Sequence, residues 1–135
     1  MYRFILPVIL LCASTAALSS DHGRAEREAA KNRADLDKAL AGLVPGKSQQ
    51  CIDSHDQYET QRIGDTILYK LSRRKIFRAD TNGGCFGLAR GDAIISQQFG
   101  SQLCAGDQIR TVDLASHIPS GVCTIRTFVP YTAPK

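Results

Sequence analysis

Four cysteines, in a small chain that opens with a segment typical of export signals, constrain the fold most strongly. They are Cys51, Cys85, Cys104 and Cys123, and a fifth cysteine, Cys12, lies inside the signal-like segment, with which we expect it to be removed. An even number of cysteines in a small exported domain is typical of a disulfide framework. We therefore expect the four remaining cysteines to form two disulfide bonds.

The export signal is expected over residues 1–17. Arg3 provides a positive start, an apolar run follows, and small residues precede Ala17, after which cleavage is favoured, with a cut as late as Ser20 left open. The apolar run is too short to span a bilayer. We therefore expect a periplasmic or secreted protein with no transmembrane span after cleavage. Acylation of Cys12 is disfavoured because the bulky Leu11 precedes it, where a lipoprotein has a small residue.

Three pairings of the four cysteines are open. We favour Cys51 with Cys85 and Cys104 with Cys123, because neighbouring segments of a small antiparallel fold usually lie side by side. Zinc ligation is disfavoured because no two of these cysteines have the Cys-x-x-Cys spacing. No metal or cofactor is predicted.

The residues after the signal divide into two regions of different composition. Residues 21–46 predict an amphipathic helix over 23–43, capped by Asp21 and ended by Gly42 and Pro45, followed by a linker. Its apolar stripe combines three leucines with two alanines: Leu36, Leu40, Leu43, Ala25 and Ala29. Residues 47–135 predict a single disulfide-stapled β domain.

Short β-type runs separated by turn residues dominate the second region. Strands are predicted at residues 66–71, 75–79, 93–97, 109–114 and 122–129, with the first two forming a hairpin through residues 72–74. Turns are predicted at 80–84 and 105–107. Five or six strands at this spacing indicate a mainly β fold, a small antiparallel sheet curled into a sandwich or partial barrel.

Charge gives little guidance towards a partner. Removal of Arg3 leaves sixteen Lys and Arg against thirteen Asp and Glu. This excess is too small to indicate a nucleic-acid partner. The absence of Trp and the few aromatic residues also disfavour a stacking surface for single strands or sugars.

Several short segments around the cysteines carry a resemblance. They are Gln50-Cys51-Ile52, Asp65 to Tyr69, Gly84 to Leu88, Gln102 to Asp107, and Gly121-Val122-Cys123 continuing to Phe128-Val129-Pro130. The chain resembles, over most of residues 48–131, a family of small exported proteins of unknown function from Gram-negative proteobacteria. The most specific parts are the Leu-Cys-x-Gly-Asp segment and the ending Cys followed by Phe-Val-Pro. The resemblance implies export and bridged cysteines, and it brings no activity.

Residues that could support catalysis or metal binding are better explained as parts of loops. Asp53, Ser54, His55 and Asp56 are adjacent, whereas a catalytic triad needs side chains that converge from different places. His55 could bind a metal with His22 and His117 only if the fold gathers them. Asp92 and Asp107 each follow a glycine, which favours turn-forming carboxylates over an acid and base pair. We predict no catalytic residue.

The predicted hairpin carries the best functional hypothesis. Arg73, Arg74 and Lys75 lie at its turn, and Lys70, Arg78 and Arg62 come near if the strands pair. Such a cluster attracts anions, although basic turns also serve to discourage edge-to-edge aggregation. We predict a non-catalytic binding or structural module of the bacterial envelope whose partner is an anionic envelope component or an acidic protein. The alternatives are a small periplasmic hydrolase using His55 and an inhibitor of a secreted enzyme presenting the basic turn.

Intact and non-reduced peptide mass spectrometry of the exported protein tests the compartment argument. We expect a mature chain that begins at Leu18, or at Asp21 if the later cut is used, with no acyl group and no free thiol. Free thiols on all four mature cysteines contradict both the compartment and the disulfide framework.

Overall fold

The computed structural model describes residues 16–56, 58–98 and 100–134, and these form one helix and nine strands. The elements are α1 (Ala16–Ala39), β1 (Val44–Pro45), β2 (Cys51–Asp53), β3 (Glu59–Ile63), β4 (Thr66–Ser72), β5 (Lys75–Thr81), β6 (Ala93–Gln97), β7 (Gln102–Cys104), β8 (Gln108–Val112) and β9 (Pro119–Thr132). The predicted export signal, including Cys12, lies outside the described residues except for Ala16 and Ala17. No helix in the described ranges is long and apolar enough to cross a membrane.

Helix α1 starts earlier than the sequence predicts. It is already helical at Ala16, so Asp21 lies inside the helix and the prediction that it is the N-cap is wrong. The preceding Ala and Leu residues favour the helical state, which explains the extension. At the other end, the amide of Leu40 still donates to the carbonyl of Leu36 at 3.0 Å, and Gly42 then adopts φ 77°. The predicted glycine stop is confirmed, because this left-handed conformation suits a residue without Cβ.

The strands form an antiparallel sheet curled into a half-barrel, which confirms the predicted mainly β fold. Its order is β3-β4-β5-β9-β8-β6, with β1 added beside the end of β9, and β2 pairs with β7 in a separate two-stranded ribbon. The predicted strand at 93–97 coincides with β6, and the predicted hairpin joins β4 to β5. Four strands were not predicted. Of these, β1, β2 and β7 have two or three residues, and β3 is largely polar. None of them therefore shows a clear alternation of apolar and polar residues.

Successive side chains of each strand point to opposite faces of the sheet, and the apolar ones form two clusters, one on each face. The concave face and the ribbon enclose the larger cluster, which includes Ile67, Tyr69, Phe77, Ile125 and Phe128. On the other face, Leu40 packs with buried residues of β3, β4 and β5, together with four half-buried residues from the end of α1, from the loop after it and from β9. The buried residues are Ile63, Leu68 and Ile76, and the half-buried ones are Leu36, Ala39, Leu43 and Tyr131. The leucine end of the predicted stripe is thus confirmed as the part of the helix that packs against the sheet.

The alanine end of the stripe does not behave as predicted. Ala25 and Ala29 are exposed, because α1 packs on the sheet only near its C-terminal end.

Both disulfides form, but with a pairing different from the favoured one. Cys51 bonds to Cys104, and Cys85 bonds to Cys123. Cys51 and Cys104 are directly opposite each other in the ribbon, with Cα atoms 4.0 Å apart. The favoured pairing is wrong because β7, which carries Cys104, pairs with the distant β2 and not with β9. Strand β9 lies between β5 and β8, so the loop after β5 meets Cys123 of β9.

The contact between this loop and β9 depends on a glycine. A Cβ on Gly121 would lie 2.9 Å from the Cα of Cys85, closer than side chains approach in real structures. The absence of a side chain at Gly121 therefore lets the two backbones come close enough for the Cys85–Cys123 bridge.

Serine substitution of each bridge tests the pairing through stability. The bridges close loops with sequence separations of 53 and 38 residues. Chain entropy therefore predicts a loss of about 4 kcal/mol in the free energy of unfolding for either the C51S/C104S or the C85S/C123S variant, measured by urea unfolding. The control is C51S/C85S, which takes one partner from each bridge and should lose more than either matched variant. A C51S/C85S variant that keeps a bridge contradicts the pairing described above.

Candidate functional site

Three consecutive cations lie at the turn between β4 and β5, and we call them the basic tip: Arg73, Arg74 and Lys75. All three side chains are exposed. The backbone beneath them is fixed, because the amide of Arg74 donates to Ser72 Oγ at 3.2 Å and the amide of Ala133 donates to the carbonyl of Arg74 at 3.0 Å. The tip therefore has a backbone fixed by hydrogen bonds and presents three exposed charges to solvent.

The charges of the basic tip are not neutralised locally. Within residues 16–56, 58–98 and 100–134, no carboxylate comes within 4.0 Å of any of the three cations. Lys75 Nζ lies 5.1 Å from the centre of the Phe77 ring, a distance suited to a cation–π contact. The tip therefore produces a local positive potential that an anion can use.

The structure places one of the three predicted flanking cations beside the tip. Lys70 lines a shallow cavity together with Arg73, although its ammonium also lies 3.7 Å from Glu59. Arg78 is instead paired with Asp80 at 3.0 Å. Arg62 is opposite Ile67 in the register of β3 and β4 and donates to the carbonyl of Gly91 at 2.6 Å. The patch is therefore smaller than the sequence suggested.

The residues around His55 form a turn, as predicted. Asp53 Oδ1 accepts hydrogen bonds from the His55 amide at 2.9 Å and lies 3.1 Å from His55 Nδ1. A side-chain oxygen that accepts from the amide two residues on is a typical Asx turn. This backbone bond, reinforced by the imidazole, lowers the pKa of Asp53. Among the described residues the hydroxyl of Ser54 makes no hydrogen bond to His55, so a nucleophile and base pair is not assembled.

The histidines do not converge on a metal site. His22 lies on α1, His55 follows β2, and His117 lies in the loop between β8 and β9. The part of the chain that the structure describes contains no group of three or more His, Cys, Asp or Glu side chains that could hold a metal ion.

The two aspartates that follow glycines have different roles. Asp107 Oδ2 accepts from the amide of Cys104 at 2.7 Å, so it forms the predicted turn after β7. Asp92 is buried and takes part in a polar cluster that the sequence did not predict. Its Oδ2 accepts from Arg90 at 3.0 Å, and Ser120 Oγ nearby lies 3.0 Å from Thr111 Oγ1. Hydrogen bonding to Ser120, followed by the bond to Arg90, lowers the pKa of Asp92. The cluster fastens the loop before β6 onto β8 and β9.

A second unpredicted site is a cavity of about 220 Å³ at the opening of the half-barrel, which we call the mouth cavity. Strands β3 and β6 are the two free edges of the curled sheet, and both contribute to its lining beside the ribbon. The lining consists of Ile52, Asp53, Ser54, Asp56, Tyr58, Thr60, Tyr69, Ser96, Gln98 and Leu103. Six of the ten lining residues lie within residues 52–60, and the other four come from three separate segments, so no contiguous sequence motif contains the whole site.

Two tyrosines and a carboxylate organise the mouth cavity. Tyr58 packs edge-on against Tyr69, with ring centres 5.9 Å apart, and its hydroxyl donates to Asp56 Oδ2 at 3.0 Å. Tyr69 is only 6% exposed, and among the described residues its hydroxyl has no hydrogen-bond partner. Burial raises the pKa of both phenols, and for Tyr58 the bond to Asp56 adds to the increase. Both hydroxyls therefore stay protonated at neutral pH.

Comparison with known proteins adds no relative. No protein-family model, no curated protein and no solved structure matches the chain.

Asp92 should make stability depend on pH. Its pKa is lowered in the folded protein, so its stabilising effect is complete above the ordinary aspartate pKa of about 3.9 and is lost as the pH falls through the lower folded value. We expect Asp92→Asn to lower the urea midpoint at pH 7. The difference from the unsubstituted protein should then shrink from about pH 5 towards about pH 2.

The matched control for Asp92 is Asp35→Asn, which removes an exposed carboxylate from α1. It should leave the urea midpoint nearly unchanged over the same range. A constant difference between Asp92→Asn and the unsubstituted protein contradicts the role assigned to the ionised carboxylate.

Proposed function

We propose that this protein is an exported, non-catalytic binding module of the bacterial envelope, and that the basic tip captures an anionic envelope polymer. The observation that carries the proposal is the tip itself. Arg73, Arg74 and Lys75 are exposed, lie on a backbone that two hydrogen bonds hold in place, and have no carboxylate partner among the described residues. A polyanion should bind such a site more tightly than a small anion does, because it can contact several cations at once.

The two disulfides support the proposed compartment. Two disulfides fit an oxidising environment, where exported proteins fold. The signal-like first residues and the resemblance to small exported proteobacterial proteins support a periplasmic or secreted location.

Binding has more structural support than hydrolysis at His55. The imidazole contacts Asp53, and the described residues provide no serine or threonine hydroxyl within hydrogen-bond distance of it. A turn with an orienting carboxylate and no nucleophile lacks the first requirement of covalent hydrolysis.

Neutralising the tip tests the proposal. We expect the R73Q/R74Q/K75Q variant to bind fluorescently labelled short-chain polyphosphate about tenfold more weakly or worse at low salt, because interactions between exposed charges are then least screened. Fluorescence anisotropy over a salt series should also show a shallower salt dependence for the variant.

A matched control separates the tip from net charge. The R24Q/R27Q/K31Q variant removes three exposed cations from α1 and changes the net charge equally. It should retain most of the binding. If the two triple variants lose affinity to the same extent, attraction is a property of the whole molecule and the tip has no special role.

A further inference from the structure

Strand β6 is a free edge of the sheet that lacks the usual protection against pairing. Its residues, Ala93–Gln97, include no charged residue and no proline, and the last three are exposed. In the described part of the chain β6 pairs with β8 alone. Such an edge offers unpaired amide and carbonyl groups to a further strand, and proteins usually block it with charges, prolines or bulges.

The other free edges have this protection. Strand β3 includes Glu59 and Arg62, and the Arg62 side chain donates to the carbonyl of Gly91 at 2.6 Å. Strand β1 has two residues, and one of them is Pro45, which has no amide hydrogen. Strand β6 is therefore the edge of this sheet that is open to a partner strand.

Hydrogen bonds at the start of β8 show in which direction its backbone groups point. The amide of Ile125 in β9 donates to the carbonyl of Asp107 at 3.1 Å, and the carbonyl of Ile125 accepts from the amide of Gly106 at 2.8 Å. Backbone groups alternate in direction along an antiparallel strand, so those of Cys123, two residues earlier, also point towards β8. Cys123 is opposite Ile109, whose backbone groups therefore point towards β9.

The same alternation identifies the unpaired groups of β6. Arg110 follows Ile109, so its amide and carbonyl point towards β6, where Ile95 is directly opposite. The backbone groups of Ile95 therefore point back towards β8. Those of its two neighbours, Ile94 and Ser96, point to the free side of the edge.

The side chains of β6 alternate in the same way. Ile94 packs against the larger apolar cluster on the concave face, and Ser96 lines the mouth cavity. Ile95 lies between them, so its side chain is on the convex face, where it is 49% exposed. An exposed isoleucine thus lies at the centre of the open edge.

The geometry points to β6 as a self-association edge, through which two copies of this chain pair antiparallel about a two-fold axis beside Ile95. In this register Ile94 is opposite Ser96 of the second copy. Both residues have outward backbone groups, so each of the two equivalent pairs exchanges both of its possible hydrogen bonds. Ile95 is opposite Ile95 of the second copy in a non-hydrogen-bonded pair, where side chains lie closest and the two isoleucines shield each other from water.

A second copy meets each requirement of this edge. The register places Ala93 opposite Gln97 and Ile94 opposite Ser96, so no charge meets a like charge across the axis. A two-fold contact also closes at the dimer, because it leaves no β6 edge open. Pairing of β6 with β3 of another copy is a head-to-tail contact, which leaves an open edge at each end and allows continued growth.

The contact is small, because each copy contributes one strand of five residues. Stable interfaces bury about 800 Å² on each partner, so we expect a weak, reversible dimer. Self-association does not depend on the basic tip. The tip ends the hairpin of β4 and β5, which lies on the other side of β9 from β8 and β6.

Cysteine cross-linking tests the register. Ile95→Cys should give a disulfide-linked dimer on a non-reducing gel after mild oxidation of the folded protein, because Cα atoms of a non-hydrogen-bonded pair lie about 4.5 Å apart. Gln97→Cys is the control on the same face. Its two copies are offset by four residues, about 13 Å along the strands, so it should stay monomeric. Equal cross-linking of the two variants, or none in Ile95→Cys, contradicts the proposal.

Sedimentation equilibrium tests the dimer in protein with its native cysteines. Between about 10 µM and about 1 mM the unsubstituted chain should follow a monomer–dimer equilibrium. Ser96→Pro should weaken the dimer about tenfold or more, because it removes an amide that points to the free side and leaves the bonds to β8 intact. Ile95→Lys should do the same by placing two ammonium groups opposite each other.

Val122→Lys is the matched control for Ile95→Lys. It adds the same charge at an exposed apolar residue of β9, two strands away from the edge, and should leave the dimer intact. A monomer over the whole range, growth beyond the dimer, or a dimer that Ser96→Pro and Ile95→Lys leave unchanged overturns the proposal. If Ser96→Pro does not fold, Ile95→Lys at its exposed position still decides. A chain that stays monomeric but binds an unrelated extended peptide at β6 shows that the edge serves another partner, and this result also overturns self-association.

Discussion

Strand β9 organises the sheet, because it pairs along most of its length on both sides. Residues of β5 pair with one edge of β9, while β8, the isolated bridge to Gln49, and β1 follow one another along the opposite edge. Phe128, fully buried, lies within this strand, and Cys123 anchors the loop after β5 to it. One strand thus aligns the two halves of the sheet and positions one of the two covalent bridges. Its pairing also explains why the chain can curl into a half-barrel and leave β3 and β6 as free edges.

The half-barrel separates two surfaces of opposite charge. The hairpin of β4 and β5 extends the sheet outward and ends in the basic tip, whereas the opening between the free edges contains two carboxylates and two tyrosines. Tyr69 and Lys70 are adjacent in β4, yet Tyr69 belongs to the concave face and Lys70 lines the cavity beside the tip. Side chains that alternate across a strand allow this arrangement without a larger domain. The basic tip and the mouth cavity therefore lie in different regions of the sheet and have different charges.

Predictions from local sequence patterns were correct where the structure depends only on residues close together in the chain. The β4–β5 hairpin, the glycine that ends α1, and the turns at Asp53 and Asp107 all depend on residues within a few positions of one another. The disulfide pairing was wrong for the opposite reason. It depends on which strands are neighbours, and β9 at the end of the chain inserts between β5 and β8. The start of α1 was also wrong, because an N-cap residue such as Asp21 is only a weak signal when the residues before it also favour a helix.

The mainly β fold, the bridged cysteines and the exposed turn that carries the basic tip could all be predicted from the amino-acid sequence. Each of these follows from composition, or from patterns shorter than a hairpin. Three other arrangements were visible only in the folded protein: which cysteines are bonded, how Asp92 meets Ser120 and Thr111, and how Tyr58 and Tyr69 share a cavity with Asp53 and Asp56. These arrangements join segments far apart in the chain, and their partners are fixed by strand order and by the burial of the concave face. A single sequence contains no local pattern that specifies either one.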